Sequence, residues 1–211
     1  HIRATEFAAS VSYTLAHLIN TGEIASRHEV AYVGVRVVAP GTFFTTHRLI
    51  DDAYVQALQE VASIAPLHIP GLIEEIHGVR QELAHAVIVG VSDTSFHRTI
   101  PEHVAAISID RADAQAYDIK RFGYHGLSFA SLTRRLEEVF DEVPARVIMC
   151  HIGGGISVAA IHNGKSVATS MGYTPASGMI MGSRGGDVTA GVLATLIQKK
   201  KLQGEELYEY L

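Results

Sequence analysis

The spacing of apolar residues along the chain predicts alternating helices and strands. Apolar residues repeat at intervals of three and four in five segments, which is typical of amphipathic helices. Runs of valine and isoleucine predict strands between them. The predicted helices are one that Thr5 can cap and that ends near Gly22, one that opens at Asp51 and Asp52, one that starts at Pro70, and those over residues 126–140 and 188–198. The predicted strands cover residues 30–38 and 86–93 and the stretch 146–170.

The stretch from residue 146 to residue 170 predicts three antiparallel strands. Three consecutive glycines, Gly153, Gly154 and Gly155, follow the first strand, and apolar and small residues then alternate from Ile156. The dipeptide Asn163-Gly164 predicts a two-residue hairpin into the third strand. A dinucleotide site or a P-loop would need a helix after the glycines. We therefore expect a glycine turn between strands, where backbone N–H groups can approach phosphate oxygens.

The order of these elements predicts an α/β protein with mixed sheets and two domains. Strands alternate with helices in the first part of the chain, whereas the second part contains the antiparallel unit. The best boundary lies between residues 94 and 100, which gives domains at 1–95 and 96–211.

Composition and charge exclude several classes of protein. Hydrophobic residues make up 47% and charged residues 18%, as in a folded protein, and the net charge of −5 implies no general attraction to nucleic acid. No apolar run reaches membrane-spanning length and no signal peptide opens the chain. The single cysteine, Cys150, lies within an apolar strand, so we expect a reduced, cytoplasmic setting and a buried structural thiol.

Five polar side chains occupy positions where ligands bind in α/β proteins. Arg36, Asp93 and His151 lie in or directly after apolar strands, and His125 and Arg184 lie in turns bounded by glycine. Arginines can neutralise the charge of a phosphoryl group in transfer, a carboxylate can help to hold Mg²⁺, and an imidazole can donate a hydrogen bond. The set therefore predicts phosphoryl transfer.

Each of these residues also has a simpler interpretation. Arg36 could be a solvated strand residue, Asp93 could cap the next turn, and His125 and His151 are two of 12 histidines. The glycine run alone could be a tight hairpin. Neither a His/Cys metal site nor a serine nucleophile elbow is indicated.

The motifs in combination resemble acetate kinase and its acyl kinase relatives. The stretches "GVRVVAPG", "APLHIP", "VIVGVSDTSFHRTIP", "RFGYHGLSF", "VIMCHIGGGISVAAIHNGKSVATSMGYTP" and "MIMGSRGGD" occur in that family's order and spacing. The resemblance runs from about Gly22 to the end. It implies the actin, hexokinase and Hsp70 fold, which is ribonuclease-H-like, with mixed sheets, flanking helices and two lobes.

The resemblance implies a role for each matching position. Direct in-line transfer between ATP and a short-chain carboxylate would use Arg36, Asp93, His125 and Arg184, with Asp93 belonging indirectly to a Mg²⁺ network. His151, Gly153, Gly154 and Gly155 would lie along the nucleotide phosphates. The small apolar acyl pocket would be formed by Val38, Leu67, Tyr124 and Pro175, and His68 would be a structural neighbour of the site. The family also implies a homodimer.

Departures from the family pattern leave alternatives open. Val35, Ala39 and Pro40 replace His, His and Gly, Tyr124 replaces phenylalanine, and Gly154 replaces asparagine. The family's first strand with its N-A-G-S-S-S loop and its C-terminal glycine-rich segments have no counterpart here, so we expect a partial chain that is inactive alone. A propionate or butyrate kinase is one alternative to an acetate kinase, and an inactive anion-binding or structural homologue is another.

Overall fold

The structure, a computed structural model, describes residues 7–211 in two compact units. The first unit ends at Ser95, and the second is Phe96–Leu211. The proposed helix cap at Thr5 lies outside the described residues.

The first unit contains a mixed sheet of three strands in the order β1 (Tyr32–Val37), β3 (Val87–Ser92) and β2 (Arg48–Leu49). The pairing of β1 with β3 is parallel, and β2 pairs antiparallel to β3. Arg36 is opposite Val91 in this register, and the ladder continues with a bond of 2.9 Å from the Asp93 N–H to the Val37 carbonyl. Because parallel strands end at the same sheet edge, Arg36 and Asp93 emerge side by side.

In the described part of the first unit, three helices pack together: α1 (Phe7–Asn20), α2 (Asp52–Glu60) and α3 (Ile69–Glu82). They confirm the predicted helices. Asp51 caps α2 by accepting a bond of 2.8 Å from the Tyr54 N–H, and Pro70 lies in the first turn of α3, where its missing N–H costs nothing. The apolar faces form one core that includes Val37, Phe44, Leu58, Ile69 and Ile76.

The second unit contains an antiparallel sheet whose strands follow chain order: β4 (Arg146–Ile152), β5 (Ile156–His162) and β6 (Lys165–Thr169). The three predicted strands are confirmed. Asn163 and Gly164 both have positive φ, 49° and 73°, as the predicted two-residue hairpin requires.

Five helices accompany this sheet: α4 (Glu102–Ala105), α5 (Arg111–Ala116), α6 (Gly126–Phe140), α7 (Ala190–Lys200) and α8 (Gly204–Tyr210). The structure confirms α6 and α7. The other three are too short to give a helical period in the sequence. Phe129 of α6 packs on Met149, Ala159 and Ile161 of the sheet in a second core.

The expectation of a buried structural thiol at Cys150 is wrong, because this thiol is exposed. Side chains alternate between the faces of β4, so Met149 enters the core while Ile148 and Ile152 are 68% and 77% exposed on the same face as Cys150. The apolar run in the sequence suggested a strand covered on both faces. Among the described residues, β4 is an edge strand with one face covered.

The longest helices have 14 and 15 residues. Between residues 7 and 211, no helix has both the length and the apolar character needed to cross a membrane.

Candidate active site

Arg36 and Asp93 form a bidentate ion pair in the first unit. Arg36 Nε lies 3.2 Å from Asp93 Oδ1, and Arg36 Nη2 lies 2.9 Å from Oδ2. Asp93 is only 1% exposed, whereas the Arg36 side chain is 55% exposed. A buried carboxylate needs a cation or several hydrogen bonds, and the guanidinium supplies both. Arg36 is therefore an exposed arginine that pairs with a buried carboxylate.

The side chains of His125 and Arg184, both in the second unit, lie close to the glycine turn between β4 and β5. Strand pairing ends at Ile152 and Ile156, and the Gly153 N–H donates to the Gly155 carbonyl at 3.0 Å. A Cβ on Gly155 would lie 3.0 Å from His125 Nε2 and 3.5 Å from Arg184 Nη1. Glycine at this position therefore keeps the space in front of both side chains open.

The imidazoles of His125 and His151 stack beside this turn. Their ring centroids are 3.9 Å apart and the ring planes differ by 21°. His125 Nδ1 is 2.8 Å from the Ser157 hydroxyl, and His151 Nδ1 is 3.0 Å from the Ser128 hydroxyl. Each ring is thus oriented by a serine hydroxyl at Nδ1.

The backbone around His125 is constrained from two sides. His125 has a left-handed conformation, with φ of 58°, at the start of α6, which is uncommon for a residue with a Cβ. The preceding carbonyl of Tyr124 accepts a bond of 3.0 Å from His97 Nε2. Gly123, with φ of 67°, packs so closely on His97 that a Cβ would approach that ring to 2.7 Å. His97 is buried and ties this turn to the Ser166 hydroxyl of β6 at 2.8 Å.

Arg184 lies in a turn that Asp187 fastens to Gly178. The Gly178 N–H donates to Asp187 Oδ1 at 2.7 Å, and the Asp187 N–H donates to the Gly178 carbonyl at 2.9 Å. Arg184 Nη1 donates to the Pro175 carbonyl at 2.8 Å. Its Nε is buried and has no hydrogen-bond partner within the described part of the chain. A buried guanidinium N–H without an acceptor is uncommon, and an anion could supply that acceptor.

The four residues expected to form an acyl pocket are divided between the two units. Val38 is buried and Leu67 is exposed in the first unit, while Tyr124 and Pro175 are buried in the second. The Tyr124 hydroxyl donates to the Tyr173 carbonyl at 2.6 Å. This additional hydroxyl is therefore bonded within its own unit. The pocket stays a prediction.

The donor atoms near Asp93 do not make an inner-sphere magnesium site. Both carboxylate oxygens accept bonds from Arg36, and the described residues contain no group of three or more His, Cys, Asp or Glu side chains able to hold a metal. Mg²⁺ prefers an octahedral shell of oxygen ligands. The contacts of Asp93 with Arg36 therefore do not indicate direct coordination, and an indirect role of Asp93 toward Mg²⁺ stays a prediction.

Ser157 and His97 belong to the site but were not singled out from the sequence. Ser157 lies on the buried face of β5 together with Ala159 and Ile161. A serine at a buried position of an apolar, alternating strand was the available signal, because such a hydroxyl requires a partner. His97 had no such signal, since its two partners come from distant parts of the chain.

These features define a class of protein: an α/β fold in which a glycine turn between antiparallel strands meets an arginine and two histidines. Solved structures of kinases share this fold. A Porphyromonas gingivalis acetate kinase matches with a TM-score of 0.79 and 33% identity over 96% of this chain and 52% of its own. A Francisella tularensis propionate kinase matches with a TM-score of 0.82 and 30% identity over 92% and 50%. They confirm the predicted fold, that of the actin, hexokinase and Hsp70 group.

The chain belongs to the acetokinase family, whose sequence profile matches residues 2–211. An acetate kinase from Limosilactobacillus fermentum is 39% identical over 204 residues, which are 96% of this chain and 51% of that protein. The chain spans about half the length of the curated relatives it matches.

Proposed function

We propose that the protein containing this chain transfers the terminal phosphoryl group of ATP to a short-chain carboxylate, giving an acyl phosphate and ADP. Membership of the acetokinase family supports this class of reaction. The observation that carries the proposal is the convergence of His125 and Arg184 on Gly155, with Arg184 Nε buried and lacking a partner among the described residues. Such a set suits a phosphoryl group whose negative charge redistributes over its oxygens during transfer.

In the proposed reaction, a carboxylate oxygen attacks the γ-phosphorus in line with the bond that breaks. A new P–O bond forms to the carboxylate, and the bond from the γ-phosphorus to the bridging oxygen breaks. The electron pair of that bond leaves with ADP, so no proton transfer is required. Catalysis in this chemistry consists of positioning and charge stabilisation.

The second unit, 96–211, is proposed to carry the phosphate side of the site. The backbone N–H groups of Gly153, Gly154 and Gly155, together with His151, would lie along the nucleotide phosphates. His125 would donate a hydrogen bond to the moving phosphoryl group, and Arg184 would bind both that group and the carboxylate. The short distances to His125 and Arg184 from the position that a Cβ of Gly155 would occupy support these roles.

The first unit, 1–95, is proposed to carry acyl-substrate elements. The Arg36 side chain is 55% exposed while its fork holds Asp93, so it is proposed also to bind the substrate carboxylate. A Mg²⁺ ion accompanying ATP would neutralise phosphate charge, and Asp93 would act on its hydration shell only indirectly. Val38 and Leu67, with Tyr124 and Pro175 of the second unit, are the residues proposed to contact the acyl chain.

The length of the acyl chain that the protein accepts is a separate part of the proposal. A propionate kinase is among the solved structures with the same fold, which supports propionate as an alternative substrate, with butyrate next in size. One methylene changes discrimination by only about 1–3 kcal/mol. We also propose that the protein is a cytoplasmic homodimer. An inactive homologue that binds an anion or has a structural role is the alternative from another class of function.

A full-length protein assayed for ADP release with acetate, propionate and butyrate tests this function. Activity with at least one of them is expected, together with a fall in kcat of about a hundredfold or more in Arg184→Ala. Arg184→Lys is expected to recover little of that loss, because a point charge cannot form a bidentate fork. No activity in a folded wild-type protein favours the inactive homologue, and near-normal kcat in Arg184→Lys contradicts the role of Arg184.

A further inference from the structure

Ser157 is a fully buried serine whose hydroxyl faces His125. It lies on β5, opposite His151 in the strand register, and is 0% exposed. Its Oγ is 2.8 Å from His125 Nδ1, and no other hydrogen-bond partner of this hydroxyl occurs in the described part of the chain. The hydroxyl proton therefore has one acceptor available to it.

This arrangement determines where His125 carries its own hydrogen. A buried hydroxyl that fails to donate costs about 1–3 kcal/mol, so the Ser157 proton belongs in the bond to Nδ1. A neutral imidazole that accepts at Nδ1 carries its hydrogen at Nε2. Resting on the proposed function, we propose that Ser157 is a positioning residue that fixes His125 as the Nε2–H tautomer and so aims an N–H donor at the glycine turn.

The tautomer matters because the Nε2 edge is the one that faces the proposed anion. Nε2 and Cε1 of His125 lie 3.0 Å and 3.1 Å from the position that a Cβ of Gly155 would occupy. An N–H in this place donates to a phosphoryl oxygen, whereas the other tautomer presents a lone pair and repels it. Ser157 would thus act on the reaction through His125 without touching the substrate.

A second buried serine–histidine pair in the same unit provides a matched control. Ser166 is also 0% exposed, and its Oγ is 2.8 Å from His97 Nδ1. The Nε2 of His97, however, bonds to the Tyr124 carbonyl, which can only accept, so the carbonyl alone requires Nε2–H. Removing the Ser166 hydroxyl deletes the same kind of hydrogen bond, but the Tyr124 carbonyl still fixes the tautomer of His97.

Long-range ¹H–¹⁵N NMR spectra of the ¹⁵N-histidine-labelled full-length protein report the tautomers directly. They are recorded without ligand at about pH 8.5, above the usual histidine pKa, and His125→Gln assigns the His125 signals. We expect Nε2–H for His125 in the wild type and in Ser157→Thr, which keeps the hydroxyl. Ser157→Ala is expected to mix both tautomers, and Ser166→Ala is expected to leave His125 and His97 unchanged.

Kinetics supply the link to the reaction. Ser157→Ala is expected to lower kcat about tenfold or more while KM for the carboxylate changes little, and Ser157→Thr should restore most of it. An Nδ1–H tautomer in the wild type overturns the proposal, as does a Ser157→Ala protein with unchanged tautomer or unchanged kcat. If Ser157→Ala does not fold, the wild-type spectrum alone decides. The spectra need no turnover, so an inactive wild type contradicts the proposed function and not the tautomer.

Discussion

Replacing Asp93 with asparagine removes a buried negative charge and keeps the shape of the side chain. Both carboxylate oxygens accept from Arg36, at 3.2 Å and 2.9 Å, and the residue is 1% exposed. An amide has one oxygen and one NH₂ group, so the NH₂ donor of asparagine would face an N–H donor of Arg36 in place of one of the two hydrogen bonds. Asp93→Asn should therefore destabilise the first unit whether or not this residue also serves the reaction.

The loss can be bounded from the geometry. A hydrogen bond to a charged group contributes about 1.5–3 kcal/mol, and removing one partner of a fully buried pair costs about 3–5 kcal/mol. The Arg36 side chain is 55% exposed, so its guanidinium can turn toward water when Asp93 loses its charge. We therefore expect the lower range, about 2 kcal/mol of the free energy of unfolding.

A double-mutant cycle in urea measures the pair itself. Asp93→Asn, Arg36→Gln and the double variant should give a coupling energy of about 1–2 kcal/mol. Asp52→Asn is the matched control, because Asp52 pairs with Arg80 at 2.7 Å but is 97% exposed, and such surface pairs contribute about 0–1 kcal/mol. If Asp93→Asn costs no more than Asp52→Asn, the reasoning from burial is refuted.

The same variant separates structure from catalysis. If Asp93 acts on the hydration shell of Mg²⁺, Asp93→Asn should lower kcat and raise the Mg²⁺ concentration for half activity. A purely structural aspartate would lower stability and leave the Mg²⁺ titration of the folded protein unchanged. The initial rate against Mg²⁺ concentration, measured below the urea transition of each protein, distinguishes these outcomes.

Three further substitutions test the packing of the site and of the core. Gly155→Ala should lower kcat at least tenfold, because the new Cβ would crowd the His125 imidazole and the Arg184 guanidinium. Gly191→Ala is the control, because Gly191 lies on a helix with open space around it, and its kcat should not change. Steady-state assays measure both variants, and equal kcat values would contradict the crowding argument. Tyr124→Phe should lower the free energy of unfolding, measured in urea, by about 1 kcal/mol, because the Tyr173 carbonyl loses its donor. KM should stay unchanged, and a changed KM would place the hydroxyl at the substrate. Tyr54→Phe should leave the free energy of unfolding unchanged or raise it by about 1 kcal/mol. Burial raises the pKa of Tyr54, and its hydroxyl has no hydrogen-bond partner among the described residues. A clear loss of stability would show that the hydroxyl has a partner.

Local patterns in the sequence predicted the elements that carry the site, because those patterns act over a few residues. Asn163-Gly164 can adopt positive φ at both positions, so the hairpin follows from two residues alone. The spacing of apolar residues in 126–140 likewise determines α6. The exposure of Cys150 could not be predicted in this way, because it depends on which strands flank β4.

Contacts between distant residues account for what the sequence left open in the site. The fork between Arg36 and Asp93 spans 57 residues and follows from the parallel pairing of β1 with β3. The bond between Ser157 and His125 spans 32 residues and depends on how α6 starts beside β5. The types of these side chains suggested phosphate chemistry, but only the sheet register shows which of them can hold one another in place.

The residues that depart from the family pattern near Arg36 bear on whether the site is retained. Val35, Ala39 and Pro40, which the resemblance marks as departures, are all buried, at 3% exposure or less. A histidine at such a position needs hydrogen-bond partners, whereas valine and alanine need only apolar neighbours. Val35 and Ala39 accordingly belong to the apolar core of the first unit. Arg36 lies beside these apolar residues in the sequence and forms its fork with Asp93, so the pair proposed to serve the substrate is assembled without a histidine at position 35 or 39.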